Sequence, residues 1–509
     1  MSSHNNLNKH TGDAHHDAAT GNITHDTQAS SHKAVLEYVD TVCQQIRWKK
    51  ARPRVSEEIT CHISDTQSAY VTQGLTQAEA TAKAIADAGD AAIVGTQLDR
   101  VHRPKPQWGM LGVTGALVIL GLAIYMYFNG GLSAGRIVFT GIGIAALVAA
   151  YFADFTWLVK YPKTLFFAVA LGAAAVPIAA FVHMQVRIVH IHVFAGGTVG
   201  TGVTFPSHLA LASLILIFPL VLAVIIFYAR GKGYWGLVIC GFAFALLATV
   251  AAGISVVGAA RFGGIGVILL CIAIAKGMFG VRKLPGIIVT FVPTALLGLP
   301  FIVLSIANEF QRYVLLQRVM IFFDPSVAPA TRGFWPTMTR GILREAAWFG
   351  RSDSAWLSIM LGPPGDPLQI QYLSVLTVLI GLMGWIAFVV IVGAMLFFII
   401  KSALRCIRQK SSLGLLVSTA VTLTIAMQAL DYVLFNLGFQ MGSPISLPLV
   451  VSGNGALVIN MMLIGFMLSV FRTGDAVQDK FHEAGTGRLI SWENGRLIID
   501  FKQKTGLSV

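Results

Sequence analysis

The sequence predicts an all-α polytopic membrane protein with about ten transmembrane helices, and three observations carry that expectation. Of its 509 residues, 55% are hydrophobic and only 12% are charged, against roughly 25% charged residues in soluble domains, and the mean hydropathy is +0.70. Apolar runs near the ~20 residues needed to cross a bilayer recur along the chain. Lys and Arg collect at alternate connections between these runs, as cytoplasmic loops require.

Taken in order, residues 1–32 are polar and His-rich with no apolar periodicity, which predicts a disordered tail. His4, His10, His15, His16, His25 and His32 have no fixed ligand spacing, so no metal site is read from them. The tail also lacks the apolar core of a cleaved signal peptide, so the first span is expected to act as the signal anchor.

Residues 33–106 turn helical. Leu36, Val39, Val42, Cys43 and Ile46 make one apolar stripe, and Val55, Ile59, Ile63 and Tyr70 make a second. A third helix opens on Thr76 with Glu79 three residues on, a capping box, and ends near Gly89. Together these predict a small cytoplasmic helical domain, with the basic run RWKKARPR (47–54) as a loop between its first two helices. The five cysteines show no CxxC spacing and imply no disulfide framework.

The membrane domain is expected over 107–471, with spans near 108–128, 137–158, 164–183, 207–229, 234–255, 258–280, 284–307, 370–400, 413–437 and 445–471. Arg100, Arg103 and Lys105, then Lys160 and Lys163, Arg230 and Lys232, Arg282 and Lys283, and Lys401, Arg405, Arg408 and Lys410 mark the inner side. Both termini are therefore expected in the cytoplasm. The formal charge of +13 fits basic loops beside anionic lipid and gives no reason to invoke nucleic acid. Residues 472–509 form a tail in which RLISWENGRLIIDF alternates about Asn494 and Gly495, a hairpin signal.

The connection over 308–369 breaks the charge rule, as long loops do. It precedes the eighth span, is external by parity, and carries Arg312, Arg318, Arg332, Arg340, Arg344 and Arg351 among Trp335, Trp348 and Trp356. Arg forks suit phosphate and pyrophosphate, and amphipathic aromatics suit the headgroup zone. Equally, these charges can pair with Glu309, Asp324, Glu345, Asp353 and Asp366 in a surface network. Within the spans, Arg261, His208 and Asp431 are costly in lipid and are expected to face the bundle interior. No P-loop, HExxH, GxSxG or metal-spaced cluster is present, so ATP-driven transport and zinc or serine hydrolysis have no support in the sequence.

Three blocks carry a family resemblance. QRVMIFFDPSVAPATRGFWPTMTRGILREAAWFG (317–350) is similar to the FtsW/RodA/SpoVE stretch in which an Arg precedes an apolar run ending in Asn-Pro; Arg318 matches the Arg, and Asp324 and Pro325 replace Asn-Pro. NLGFQMGSPISLPLVVSGNGALVINMMLIGFMLSV (436–470) resembles the late family motif through Asn436, Gly438, Pro448, Gly453 and Leu457. FPSHLALASLILI (205–217) resembles a third stretch, with His208 in place of an acid. The helical region before the first span looks like the permease prefix of some Gram-positive members, which implies a Gram-positive plasma membrane.

The resemblance implies cell-wall biogenesis in growth, division, cell shape or sporulation, through a peptidoglycan glycosyltransferase that polymerises lipid II or a related polyprenyl-pyrophosphate sugar. It implies Asp366 as the only local candidate base, with Arg318, Arg340, Arg344, Glu345, Ser452 and Asn454 around the substrate. A divalent cation is one way to stabilise the departing pyrophosphate, and no cofactor is specified. The sequence departs from the family where the acid is expected, since QIQYL (369–373) has none and Asp366 lies earlier in a Pro-flanked turn. Two alternatives stay open: a non-catalytic partner of a penicillin-binding transpeptidase, and a transporter of lipid-linked oligosaccharide.

Overall fold

The computed structural model describes residues 31–102 apart from 50, 104, 106–175 apart from 154, 213–292, 295, 309–361 apart from 329–331, 374–474 apart from 443, and two strands at 490–493 and 496–499. The chain divides into two compact units, Met1–Pro106 and Gln107–Val509.

Among the described residues the first unit has four helices: α1 (31–45), α2 (Arg52–Thr72), α3 (Gln77–Ala88) and α4 (Ala91–His102). The two stripes meet as expected of amphipathic helices. Val39, Cys43, Ile63 and Ala84 form one buried cluster, and Val42, Ile46, Ala51 and Val55 form another. Thr76 and Glu79 make the reciprocal capping box that opens α3. These bonds hold the Glu79 carboxyl below its ordinary range, the side-chain bond to Thr76 leading.

Two features differ from the sequence reading. A fourth helix follows Gly89 because Asp90 accepts the N–H groups of Ala92 and Ile93 at 2.8 and 3.1 Å, capping a new start, and Val94 and Leu98 then pack on the second cluster. The basic run is only partly loop. Pro53 sits in the first turn of α2, where its missing N–H costs nothing, so Arg52 and Arg54 are helical, and Arg54 pairs with Glu58 at 3.0 Å one turn on.

The second unit is a helical bundle. Its elements are α5 (Trp108–Asn129), α6 (Ala134–Phe152), α7 (Pro162–Ala175), α8 (Ser213–Tyr228), α9 (Gly233–Ile254), α10 (Val256–Ala275), α11 (Lys283–Val292), α12 (Glu309–Phe323), α13 (Phe334–Glu345), α14 (Ala355–Leu361), α15 (Val375–Met383), α16 (Trp385–Ile407), α17 (Ser412–Asn436) and α18 (Asn454–Thr473). Among the described residues seven helices, α5, α6, α9, α10, α16, α17 and α18, are long and apolar enough to span a membrane, and α7, α8 and α11 are shorter apolar helices. The protein is an all-α polytopic membrane protein. Its one described sheet is the antiparallel pair β1 (Ile490–Glu493) and β2 (Arg496–Ile499), with Glu493 opposite Arg496.

Helix–helix contact in lipid depends on small residues that let backbones approach. On the seam between α6 and α18, a Cβ at Gly465 would lie 2.5 Å from the Leu147 carbonyl oxygen, so only glycine permits this spacing.

Two expected spans are not continuous helices. The tenth begins at Asn454 instead of 445, because Pro444 and Pro448 cannot donate to a helical ladder. The buried segment before it closes on itself: the Leu447 N–H donates to Val451 and the Val451 N–H to Leu447, at 2.9 and 3.0 Å. The eighth divides into α15 and α16 at Gly384, whose φ of 88° and ψ of 179° belong to a region that is essentially glycine's alone.

The strap joining α13 to α14 covers this break. Trp385 and Ile386 donate their N–H groups to the Ala347 and Trp348 carbonyls at 3.1 and 3.3 Å, while Gly350 and Ser352 donate to Met383 and Gly381 at 3.2 and 2.7 Å. A Cβ on Gly384 would lie 2.5 Å from the Trp348 oxygen. Gly384→Ala is therefore expected to destabilise the protein by about 1–3 kcal/mol, seen as a lowered Tm in detergent and faster proteolysis of the strap; an unchanged Tm would contradict this account of the break.

Candidate functional site

The connection before the eighth span folds into a small helical layer with its own core. Met338, Ile342, Leu357, Met360 and Val378 form a buried cluster from α13, α14 and α15, which α13 supports by placing apolar residues at helical spacing on one face. Before it, Asp324 ends α12 and caps the short turn Pro325–Val327, its Oδ1 accepting the N–H and Oγ–H of Ser326 at 3.0 and 2.6 Å. These two bonds hold the Asp324 carboxyl below the usual carboxylate range, with the side-chain bond the larger cause.

Arg340 ties this layer to the bundle. It donates from Nη1 to the Phe323 carbonyl at 3.0 Å, from Nη2 to Phe322 at 2.9 Å and from Nε to Gly438 at 3.2 Å, with its guanidinium 5.0 Å from the Phe439 ring centre. Burial lowers its pKa, outweighing the carboxylate of Asp324 that supports its charge. Three of its five N–H groups thus serve backbone carbonyls. Arg340 joins the block around Arg318 to the block around Gly438, which are far apart in sequence.

Asn436, fully buried, makes a second link. Its Oδ1 accepts both the N–H and the Oγ1–H of Thr377 at 3.0 Å, and its Nδ2 donates to the Tyr432 carbonyl at 2.9 Å. Ser452 is buried as well. Its carbonyl accepts Arg136 Nη1 at 2.6 Å and its hydroxyl donates to Leu447 at 3.1 Å, so it holds the 444–453 segment against α6.

The other residues singled out from sequence sit differently. Arg318 on α12, Arg344 and Glu345 at the end of α13, and Asn454 at the start of α18 are exposed. Arg344 is close enough to Arg340 for their charges to interact unfavourably. The backbone carbonyl of Glu345 accepts the Ser352 hydroxyl at 3.1 Å. Asp366 and His208 lie outside the described residues.

Inside the bundle the structure pairs two residues that the sequence marked separately. Arg261 is five residues from the start of α10 and Asp431 five from the end of α17, and Arg261 Nη1 lies 3.5 Å from Asp431 Oδ2. That separation exceeds the 2.7–2.9 Å of a charge-assisted hydrogen bond. Arg261 Nη1 and Nη2, Asp431 Oδ2 and the Oε1 of nearby Gln428 are buried without hydrogen-bond partners, while Gln428 Nε2 donates to Ser446 Oγ at 2.6 Å. A cavity of about 20 Å³ lined by Arg261, Thr424 and Gln428 adjoins them, room for one water at most. Their common depth from the helix ends is the signal that could have paired Arg261 with Asp431 in advance.

No protein-family model and no curated protein matches this chain. Solved structures do resemble it. One, described as showing structural coordination of polymerization and crosslinking by a peptidoglycan synthase complex, aligns with a TM-score of 0.46 at 18% identity, covering 74% of this chain and 99% of that one. The rod shape determining protein RodA of Thermus thermophilus aligns at 0.42 and 15% identity over 74% and 98%, and a single-residue variant of it at 0.43 and 14% over 74% and 99%. Identities of 14–18% with scores of 0.42–0.46 assign neither a family nor an activity to this chain.

Among the described residues no three His, Cys, Asp or Glu side chains come together. Chemically, the described residues offer exposed guanidinium groups on the α12–α14 layer and a loosely paired carboxylate in the bundle.

Two outcomes follow. Asn436→Leu leaves the Thr377 N–H without its acceptor and is expected to cost about 1–3 kcal/mol, read as a lower Tm. Asp431→Asn leaves Arg261 uncompensated, at a cost of about 3–5 kcal/mol, whereas Arg261→Met with Asp431→Leu is expected to recover most of that loss; a double variant no more stable than Asp431→Asn would show the pair is not the cause.

Proposed function

We propose that this protein is a divergent peptidoglycan-glycosyltransferase-like membrane protein acting at the outer face on lipid II or a related polyprenyl-pyrophosphate sugar. The observation that carries this reading is Arg340, which bonds Phe322, Phe323 and Gly438 and so brings into one place the two sequence blocks that resemble the FtsW/RodA/SpoVE family. Blocks that resembled a family by chance would have no reason to meet.

In the proposed reaction the acceptor sugar hydroxyl attacks the donor's anomeric carbon. A new C–O bond forms, the bond to pyrophosphate breaks, and a carboxylate takes the hydroxyl proton. Arg318 and Arg344, exposed on the outer layer, would neutralise the leaving pyrophosphate, with Glu345, Ser452 and Asn454 bordering the site and Arg340 positioning it. Asp366 is the carboxylate in the chain leading to α15. The permease-prefix resemblance supports a Gram-positive cell membrane and a role in growth, division, shape or sporulation.

One observation favours a second reading. QIQYL (369–373) has no acid where the family resemblance expects one, as suits a non-catalytic partner of a penicillin-binding transpeptidase.

The test is polymerisation of lipid II by the purified full-length protein, alone and with a transpeptidase. The expected result is glycan chains from the wild type and a loss of about 10²-fold or more with Asp366→Asn. Equal activity in Asp366→Asn removes that residue from the reaction. Lipid II binding without product in either mixture favours the scaffold.

A further inference from the structure

An apolar groove of about 390 Å³ runs between α5 and the broken eighth span, lined by Ala123 and Tyr127 of α5, Leu379 and Met383 of α15, and Ala387 and Val390 of α16, among others. Its volume falls in the range of small-molecule pockets. The lining residues lie in the last turns of α5 and the first turns of α16. With the basic connections inside, that places the groove in the outer half of the hydrocarbon layer.

Its outer end is defined by the strap. Met383 and Ile386, both groove residues, are bonded through their backbones to Gly350 and Trp348. The strap carries Trp348 and Phe349, 69% and 74% exposed, and the exposed Arg351, with Arg344 at the end of α13 just before it. An apolar slot thus leads directly to aromatic side chains of headgroup type and to cations suited to phosphate. That is the pattern of a binding site for a long apolar chain ending in an anionic head.

We infer that this groove holds the isoprenoid chain of the polyprenyl-linked sugar, with its pyrophosphate beside Arg344 and Arg351. The inference rests on the proposed function and adds the place where the lipid part of the substrate sits. The break at Gly384 then has a consequence for binding: it allows the strap to reach the backbone of the eighth span, and so sets the head's anchoring groups at the mouth of the groove.

The experiment uses the full-length protein in nanodiscs with lipid II bearing a photoactivatable group on its isoprenoid chain. Cross-links are expected in the α5 and α16 peptides, undiminished by excess phosphatidylglycerol. Ala123→Phe and Ala387→Phe, which fill the slot, should each weaken lipid II binding by about tenfold or more, with Tm measured alongside to show that the variants fold. Cross-links confined to other helices, or competition by phosphatidylglycerol as effective as by unlabelled lipid II, overturn the inference. If the wild type binds and polymerises lipid II but the filled variants bind it equally, only the groove assignment fails. If the wild type neither binds nor polymerises it, the proposed function fails as well.

Discussion

Hydrocarbon offers a backbone no hydrogen bonds, and the region around α13–α18 is shaped by the ways the chain meets that constraint. Continuous helices satisfy it internally. Where α15 gives way to α16, and where the buried 444–453 segment precedes α18, the ladder is interrupted, and each interruption finds partners. The strap serves the first through four backbone bonds. The second uses its own Leu447–Val451 pair and the guanidinium of Arg136 on the Ser452 carbonyl.

These repairs build the candidate site. The strap can reach Gly384 only because α13 and α14 rest on Val378 of α15 in a shared apolar cluster, and α13 is also the helix that carries Arg340. Arg340 then spends three donors on carbonyls of α12's end and of the turn after α17. An arginine with its fork so occupied is a structural tie, while Arg318 and Arg344 keep exposed side chains on the same layer. One arginine-rich stretch thus holds both committed and exposed guanidinium groups. The loose Arg261–Asp431 pair shows the opposite economy: two charges kept in the bundle at a separation too long for a strong bond.

Much of this was legible beforehand because the signals are local. The charge alternation and apolar runs identify the spans, and the Thr76–Glu79 spacing marks the start of α3. The missed α4 shows the limit, since Asp90 lies only one residue beyond a helix-ending glycine, and two helices so close read as one helix and a tail. The eighth and tenth spans look continuous in sequence because hydropathy does not distinguish an unbroken helix from an interrupted apolar segment. Gly384, Pro444 and Pro448 were the available clues.

What the sequence by itself determined is whatever depends on neighbours along the chain: the helical membrane class, the amphipathic prefix, and the arginine content of the layer formed by α12–α14. What only the tertiary structure decided is which of those arginines are committed. Arg340 is fixed by carbonyls of Phe322, Phe323 and Gly438, and Arg261 meets Asp431, contacts spanning from 17 to 98 positions for Arg340 alone. A guanidinium is the same group wherever it occurs; its role follows from the acceptors that packing brings within hydrogen-bond reach, and those are set by how the helices fold against one another.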